Sequence, residues 1–462
     1  MKFRKTVTTL LTVGIVAALI VFGDLVRSDN HLAVRKNAVE LTPQERTEFV
    51  HAIKALKTTI QPGHQLSIYD EFVAQHVSAM GLMSEAAQGP AAGHDGAHES
   101  NLFLPWHREF IYRFEQALQS VNPNVTLPYW DWTNPEALEV IFQDDFMGPN
   151  GQGVSVNIPL DIPQGDFAAP TGQGVRPNIP AEVIAGSEGQ GVPPNIPPSG
   201  LGSEGQAPPF DIPVGSFEGG PVVSGPFSLA NGWIINPILH FKPSGETLGD
   251  ALLRFMQLPP VNNYPIPQED VDQVLSAGDY DTFRLAIEGF LKLNPEGQPP
   301  TPGVFQHNYF HSFVGGATFD PAVGRPEPIG TMAGLAVSIN DPIFWLIHSN
   351  IDRLWAEWQE NGHAGSDYYP ASGGRYGENL NDRLWPWDGG ESTPANQGPG
   401  DVLSLLPVLS PEDIVTPADT LDFRKYGYTY DTITNSETKS ASTLGFLGLG
   451  TLGIVVWQWK KR

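Results

Sequence analysis

The chain has 462 residues, with 51 acidic residues against 26 basic ones and a formal charge of −25. Such a charge repels phosphate backbones and argues against nucleic-acid binding. The sequence contains no cysteine, which excludes disulfides, thiolate metal sites and thiol nucleophiles, so any metal must bind to histidine or carboxylate side chains. We expect one catalytic domain with a large core, because part of the chain lacks the composition of a folded domain.

Both ends of the chain are apolar. A basic N-terminus precedes a long uncharged run, so residues 1–23 are predicted to form a signal peptide or signal anchor. Residues 442–462 combine a Leu/Gly-rich run with three terminal basic residues, which predicts a hydrophobic C-terminal anchor or sorting tail. The protein is therefore expected to be exported and extracytoplasmic, and to be either anchored in the membrane by these terminal segments or associated with the cell surface. The alternative is that both segments are buried in the fold.

Helical signals begin at Thr42, where the sequence Thr-Pro-Gln-Glu predicts a capping box and a helix that runs to about Ile60. Apolar residues at helical spacing predict more helices. These cover residues 69–80, 105–121, 279–293 and 341–360. The predicted fold class is mainly α, with irregular loops and few short strands.

A Gly/Pro-rich, low-complexity segment at residues 148–220 interrupts this pattern. It contains three near copies of one unit, at 151–159, 172–180 and 189–197. Because it has many prolines and few large apolar residues, this segment cannot bury enough surface to offset the entropy of ordering the chain. The composition therefore predicts a flexible insertion. The insertion divides the catalytic domain into a first part at 40–147 and a second part at 221–431. A binding role for the repeats is the alternative.

Six of the twelve histidines fall into two separated groups of three. In the first group, His76 lies on a predicted helix, while His98 lies in a loop and His107 near the start of the next helix. A loop histidine and a helix histidine can converge on one metal ion. His64 and His94 are alternatives to His76 or His98 in this group.

The second group contains His307 and His311, which are four residues apart, so both imidazoles lie on one face of a helix. His348 completes the group, and Asp352, one turn later, is predicted to hydrogen-bond a ligand imidazole and fix its orientation. Three imidazoles without a thiolate suit copper or zinc. Two copper(I) ions in facing sites can together give O₂ two electrons, which a single zinc ion cannot do.

Four blocks of sequence around these histidines occur in order. They are FLPWHR at 103–108, LPYWDW at 127–132, HNYFHSFVGG at 307–316 and DPIFWLIHSNIDRLW at 341–355. In these blocks the sequence resembles the tyrosinase central domain of type-3 dicopper proteins, of bacterial type, and the resemblance extends over roughly residues 40–431. It implies a four-helix bundle that holds a dinuclear copper site. The implied ligands are His76, His98 and His107 for one copper ion and His307, His311 and His348 for the other.

The resemblance also implies a reaction, in which O₂ is the co-substrate and monophenols or o-diphenols are converted to o-quinones. It implies a catalytic water held by Asn308 and a nearby glutamate, for which Glu288 is the first choice and Glu296 the second. A catechol oxidase without activity on monophenols is the alternative, followed by a haemocyanin-like oxygen carrier. A surface-binding protein that uses the repeats and carries a decayed metal site is the third.

Two departures from the family pattern stand out. Many members fix one copper ligand through a thioether to cysteine, which this chain lacks. Copper loading is therefore expected to depend on preorganised ligands or on a copper-delivery partner. Ile347 stands where many relatives have a second histidine beside the ligand, which predicts altered packing around the site without loss of a metal ion.

Overall fold

The computed structural model describes residues 32–157, 216–259, 261–320 and 325–433. The predicted signal segment at 1–23, the predicted tail at 442–462 and the second and third repeat copies lie outside these residues. Among the residues that are described, none of the helices combines the length and the apolar character needed to cross a membrane.

The described part of the chain contains nine α-helices with defined ends. They are α1 (Pro43–Thr58), α2 (Ile68–Met80), α3 (Phe103–Val121), α4 (Ala137–Ile141), α5 (Gln268–Leu275), α6 (Tyr280–Glu288), α7 (Gln306–Gly315), α8 (Ile343–Trp358) and α9 (Pro417–Thr420). The predicted mainly helical class is confirmed.

The ends of the helices follow local chemistry. Helix α1 has the predicted capping box, in which the Thr42 hydroxyl accepts from the Glu45 N–H and the Glu45 carboxylate accepts from the Thr42 N–H. Helix α6 is shorter than the predicted 279–293, because Gly289 adopts a left-handed conformation with φ 101° and ends it. Leu291 and Lys292 then form a short strand.

The strands are short and paired locally or across the chain ends. They are β1 (Ala33–Arg35), β2 (Val154–Asn157), β3 (Ser216–Pro221), β4 (Leu253–Arg254), β5 (Leu291–Lys292), β6 (Thr301–Pro302), β7 (Ala317–Asp320), β8 (Arg325–Pro328) and β9 (Tyr428–Tyr430). Strands β2, β3 and β4 form an antiparallel sheet, and β5–β6 and β7–β8 are antiparallel pairs. Strands β1 and β9 pair in parallel, which joins the two ends of the described chain.

A single large apolar core lies between the long helices. Helix α3 packs against α1 and α8, and α7 packs against α6 and α8. Phe110 of α3 stacks on Trp345 of α8, with ring centroids 5.5 Å apart. Each fully buried large side chain of this kind contributes roughly 1.5–3 kcal/mol. The packing therefore fixes the positions of α3, α7 and α8 relative to one another.

Asp352 does not hydrogen-bond to any of the six site histidines, whose Nδ1 atoms face other acceptors, so its predicted orienting role is wrong. Its carboxylate accepts instead from Arg108 on α3 and from Arg35 on β1, and from the hydroxyls of Tyr428 and Tyr430 on β9 at 2.6 Å each. All of these groups are buried. Removal of one partner from such a buried charge network typically destabilises a protein by about 3–5 kcal/mol. Asp352 thus joins two site helices to the paired chain ends.

The two described ends of the low-complexity segment pair with each other as strands. Val154–Asn157, in the first repeat copy, forms β2, and Ser216–Pro221 forms β3 opposite it. The first copy reads Val-Ser-Val where the other two read Val-Arg-Pro and Val-Pro-Pro. Proline lacks the N–H that a strand donates, so the first copy is the one suited to a strand. Residues 148–157 and 216–220 of the predicted insertion therefore lie within the described residues.

Candidate metal centre

Four helices and one loop bring the six histidines together. His76 lies on α2, His107 on α3, His307 and His311 on α7, and His348 on α8, whereas His98 lies in the loop before α3. All six are at most 3% exposed.

The histidines form two compact groups, each with ring nitrogens within 4.8 Å of one another. Their members are His76, His98 and His107 in the first group and His307, His311 and His348 in the second. The groups are adjacent, because the rings of His107 and His348 stack with centroids 4.6 Å apart. The structure thus assembles the predicted sets, and neither group includes His64 or His94.

Hydrogen bonds fix the orientation of every ring, because each Nδ1 faces an acceptor oxygen. The acceptors and distances are Ala336 O for His76 (3.1 Å), Asp95 Oδ1 for His98 (3.3 Å), Phe103 O for His107 (2.8 Å), Asn308 Oδ1 for His307 (3.1 Å), Met332 O for His311 (2.9 Å) and Phe344 O for His348 (2.9 Å). An acceptor at Nδ1 assigns the proton to that nitrogen and leaves the Nε2 lone pair for a metal.

The free Nε2 atoms test whether metal ions fit. Four of them, on His76, His98, His107 and His311, are buried and have no hydrogen-bond partner in the described part of the chain. The other two, on His307 and His348, face each other at 3.1 Å. Two lone pairs at this distance repel unless a cation lies between or beside them. The donor set therefore fits two cations with three imidazoles each.

Burial lowers the pKa of five of the six imidazoles and so favours their neutral form. It lowers the pKa of His76 and of His311 to about 3, in each case chiefly through loss of solvation. A neutral imidazole binds a metal without first losing a proton, so both rings are ready for metal at neutral pH. His98 differs, because the charge and hydrogen bond of Asp95 outweigh burial and raise its pKa.

Asp95 is a functional neighbour that sequence reasoning missed. It is 5% exposed, and its Oδ1 also accepts from the backbone N–H groups of Ala97 and His98, at 2.8 and 3.0 Å. This arrangement is an Asx-type turn, whose sequence signal is an aspartate three residues before the histidine. Asp95 therefore fixes both the loop and the ring of His98.

The two predicted catalytic residues lie beside the histidines. Asn308 is 5% exposed and holds His307 through its Oδ1. Glu288, at the end of α6, is 1% exposed, and its carboxylate accepts from Arg284 and from the backbone of Glu99. Burial raises the pKa of Glu288, although Arg284 and the Glu99 N–H oppose this effect. Glu296, the other candidate, is exposed on a loop.

Known proteins resemble this chain in sequence. The model of the common central domain of tyrosinase matches residues 66–361. The tyrosinase of Streptomyces glaucescens is 30% identical over 369 residues, which cover 79% of this chain and 95% of that protein. The tyrosinase of Streptomyces galbus is 32% identical, with 77% and 94% covered. Grixazone synthase of Streptomyces griseus is 28% identical over 86% of this chain and 99% of that enzyme.

The fold and the site define a helical metalloenzyme with two adjacent three-histidine centres. The family model and a relative at this identity and coverage show to which family this metalloenzyme belongs. The chain belongs to the tyrosinase family. It is a copper-dependent phenol oxidase of the type-3 class, which uses two copper ions and O₂.

Proposed function

We propose that the enzyme converts both monophenols and o-diphenols to o-quinones, with His76, His98 and His107 on one copper ion and His307, His311 and His348 on the other. The observation that carries this proposal is the inward-facing set of Nε2 atoms in two adjacent groups. When bound, the two copper ions would together supply two electrons to O₂. A monophenol and O₂ then give one o-quinone and one water, which balances the atoms.

The residues around the copper pair have two tasks in this proposal. The first is to hold the rings still, and backbone carbonyls such as Phe103 O and Phe344 O perform it. The second is to remove the phenolic proton before hydroxylation, for which we propose a water held by Asn308 and Glu288. Both side chains are buried beside His307, and Glu288 is held in one orientation from two sides.

The test is a quinone assay on copper-loaded protein, with tyrosine-like monophenols and catechols offered under air. Quinone from both substrates, with two copper ions per chain, is the expected result. Quinone from catechol alone would reduce the enzyme to a catechol oxidase, and O₂ binding without quinone would make it an oxygen carrier. Loss of copper after single His107→Ala or His348→Ala substitution checks the ligand assignment, with His51→Ala, an exposed histidine, as control.

We further propose that the enzyme acts outside the cytoplasm and is held at the membrane by residues 1–23 and 442–462. The uncharged runs with basic flanks support this topology. Reporter fusions after residues 31 and 441 would show an extracytoplasmic location for both if it is correct. Copper loading of the purified chain by free copper ions, without other proteins, would exclude a required copper-delivery partner.

A further inference from the structure

The carboxylate of Glu288 connects two parts of the metal centre. Its Oε1 accepts from the backbone N–H of Glu99 at 2.6 Å, and its Oε2 accepts from Nη1 of Arg284 at 3.1 Å. Arg284 is 5% exposed and lies one turn earlier on α6. The ion pair thus aims one carboxylate oxygen at the loop that contains His98.

That loop is strained at the residue after the histidine. Glu99 has φ 60°, in the left-handed region that residues with a Cβ rarely adopt. Such a conformation persists only where surrounding contacts hold it. The short hydrogen bond from the Glu99 N–H to the Glu288 carboxylate is such a contact. Because Glu99 directly follows His98, its backbone angles set where the imidazole of His98 enters the site.

The same end of α6 also contacts the second group of histidines. The carbonyl of Gly289 accepts from the Phe305 N–H at 3.0 Å, and α7 with His307 begins one residue later. The end of α6 therefore touches the loop of the first group and the helix of the second. The carboxylate of Glu288 contacts the loop of the first group, whereas the contact to the start of α7 is made by backbone atoms.

We propose that Arg284 is a positioning residue for the first metal group: it orients the Glu288 carboxylate, which holds Glu99 in its left-handed conformation and so places His98. This inference rests on the ligand assignment of the proposed function. It is independent of which phenol is oxidised. It assigns to Arg284 a role in copper retention that does not require contact with the copper ion or the substrate.

Arg284→Met removes the charge and leaves Glu288 held from one side only. We expect the copper-loaded variant to keep the ion of the second group and to lose the ion of the first group at least ten-fold faster to an excess of chelator. Arg284→Lys keeps a charge within reach of one carboxylate oxygen. We expect its rate of copper loss to lie between those of the wild type and Arg284→Met. The measurement is copper per chain against time by elemental analysis.

Glu99→Gly separates this mechanism from general destabilisation. Glycine adopts φ 60° without strain and keeps the backbone N–H, so the loop no longer depends on the carboxylate. In the double variant with Arg284→Met, we expect the copper loss rate to return to within about three-fold of wild type. Arg284→Gln, which keeps a neutral donor, takes the place of the methionine variant should that variant not fold.

Arg353 provides a matched control. It is 7% exposed and forms an ion pair with Glu357, four residues later on α8, at 2.8 Å. Arg353→Met should lower stability to urea without a selective loss of one copper ion. Wild-type retention of both ions by Arg284→Met, or absence of rescue by Glu99→Gly, would overturn the inference. Failure of the wild-type protein to bind two copper ions would instead overturn the proposed ligand assignment.

Discussion

At the scale of single residues, the site depends on which atom each ring nitrogen faces. Carbonyl oxygens of Ala336, Phe103, Met332 and Phe344 hold four of the imidazoles, and side chains hold the other two. A backbone carbonyl accepts a hydrogen bond whatever side chain its residue carries, so such partners leave no signal in the sequence. Asn308 is one of the two side-chain partners, and it was identified through its position after His307.

Asn308→Ala tests the water-holding role of this residue. We expect the rate on a monophenol to fall about 100-fold, because general-base assistance contributes at least that much. The rate on a catechol should fall by about ten-fold at most, through looser orientation of His307. Asn308→Asp retains an acceptor oxygen and serves as the control. Equal losses on both substrates for the alanine variant would show that Asn308 only orients the ring.

Buried His240 makes the free energy of unfolding depend on pH. It is fully buried, its Nδ1–H donates to Gly249 O and its Nε2 accepts from the Thr331 hydroxyl, both at 2.9 Å. Burial is the main reason that its pKa falls from 6.5 to about 4. The unfolded chain therefore binds a proton at higher pH than the folded one, so stability falls as pH decreases from about 6.5 to about 4.

The expected loss attributable to His240 over this window is about 3 kcal/mol, from 1.36 kcal/mol per pKa unit. The measurement is urea unfolding of metal-free wild type and His240→Gln at pH 7 and pH 4.5. The glutamine variant should be less stable at pH 7 but lose less on acidification, while the six site histidines contribute equally to both proteins. An equal loss of unfolding free energy in the two proteins between pH 7 and pH 4.5 would contradict this prediction.

At the scale of elements, Gly289 at the end of α6 allows this helix to pack closely against the start of α7. Gly289 has φ 101°, and a Cβ there would lie 2.0 Å from the Phe305 carbonyl oxygen and 3.1 Å from the Asn308 N. No side chain fits this position without movement of α7. Periodicity alone extended α6 to residue 293, because Phe290 and Leu291 continue the apolar pattern past the glycine that ends the helix.

Gly289→Ala is expected to lower the free energy of unfolding by at least about 2 kcal/mol, from the left-handed backbone and the displaced α7. Copper content should fall with it, because α7 carries two of the proposed ligands, His307 and His311. Gly278→Ala is the control, since that position has open space for a Cβ and no left-handed φ. It should change stability by no more than about 1 kcal/mol. Unfolding in urea and copper analysis of both variants make the comparison.

At the scale of the whole molecule, the two described ends of the low-complexity segment meet in one pair of strands. Asn157 and Ser216 are directly opposite each other in the β2–β3 pair. A two-residue Asn-Gly turn therefore can join these strands. We expect replacement of residues 158–215 by Asn-Gly to leave the fold and the copper content unchanged. The free energy of unfolding should stay the same or rise by up to about 3 kcal/mol, because roughly five halvings of loop length each contribute about 0.6 kcal/mol.

The matched control for this replacement is a Gly/Ser linker as long as the natural segment. It should restore the wild-type free energy of unfolding if loop length alone matters. A shortened protein that aggregates or fails to bind copper, while the linker variant is normal, would show that the ends need a long connection. Loss of copper in both would show that the natural segment itself contributes to the domain.

Local sequence determined much of this protein. The capping box at Thr42, the apolar spacing of α2, α3 and α8, and the four-residue step from His307 to His311 each act over a few residues, so they can be read along the chain. Residue types also limited the metal to copper or zinc, because a chain without cysteine offers mainly imidazoles as soft enough ligands.

Tertiary structure decided how these parts act together. It stacked His107 on His348, turned Asp352 away from the site toward Arg108, and placed Glu288 against the strained backbone of Glu99. Each of these contacts joins elements that are far apart in sequence, and their geometry depends on how whole helices pack. The spacing of residues along the chain contains no information about such packing, whereas it does contain the helices and the histidines themselves.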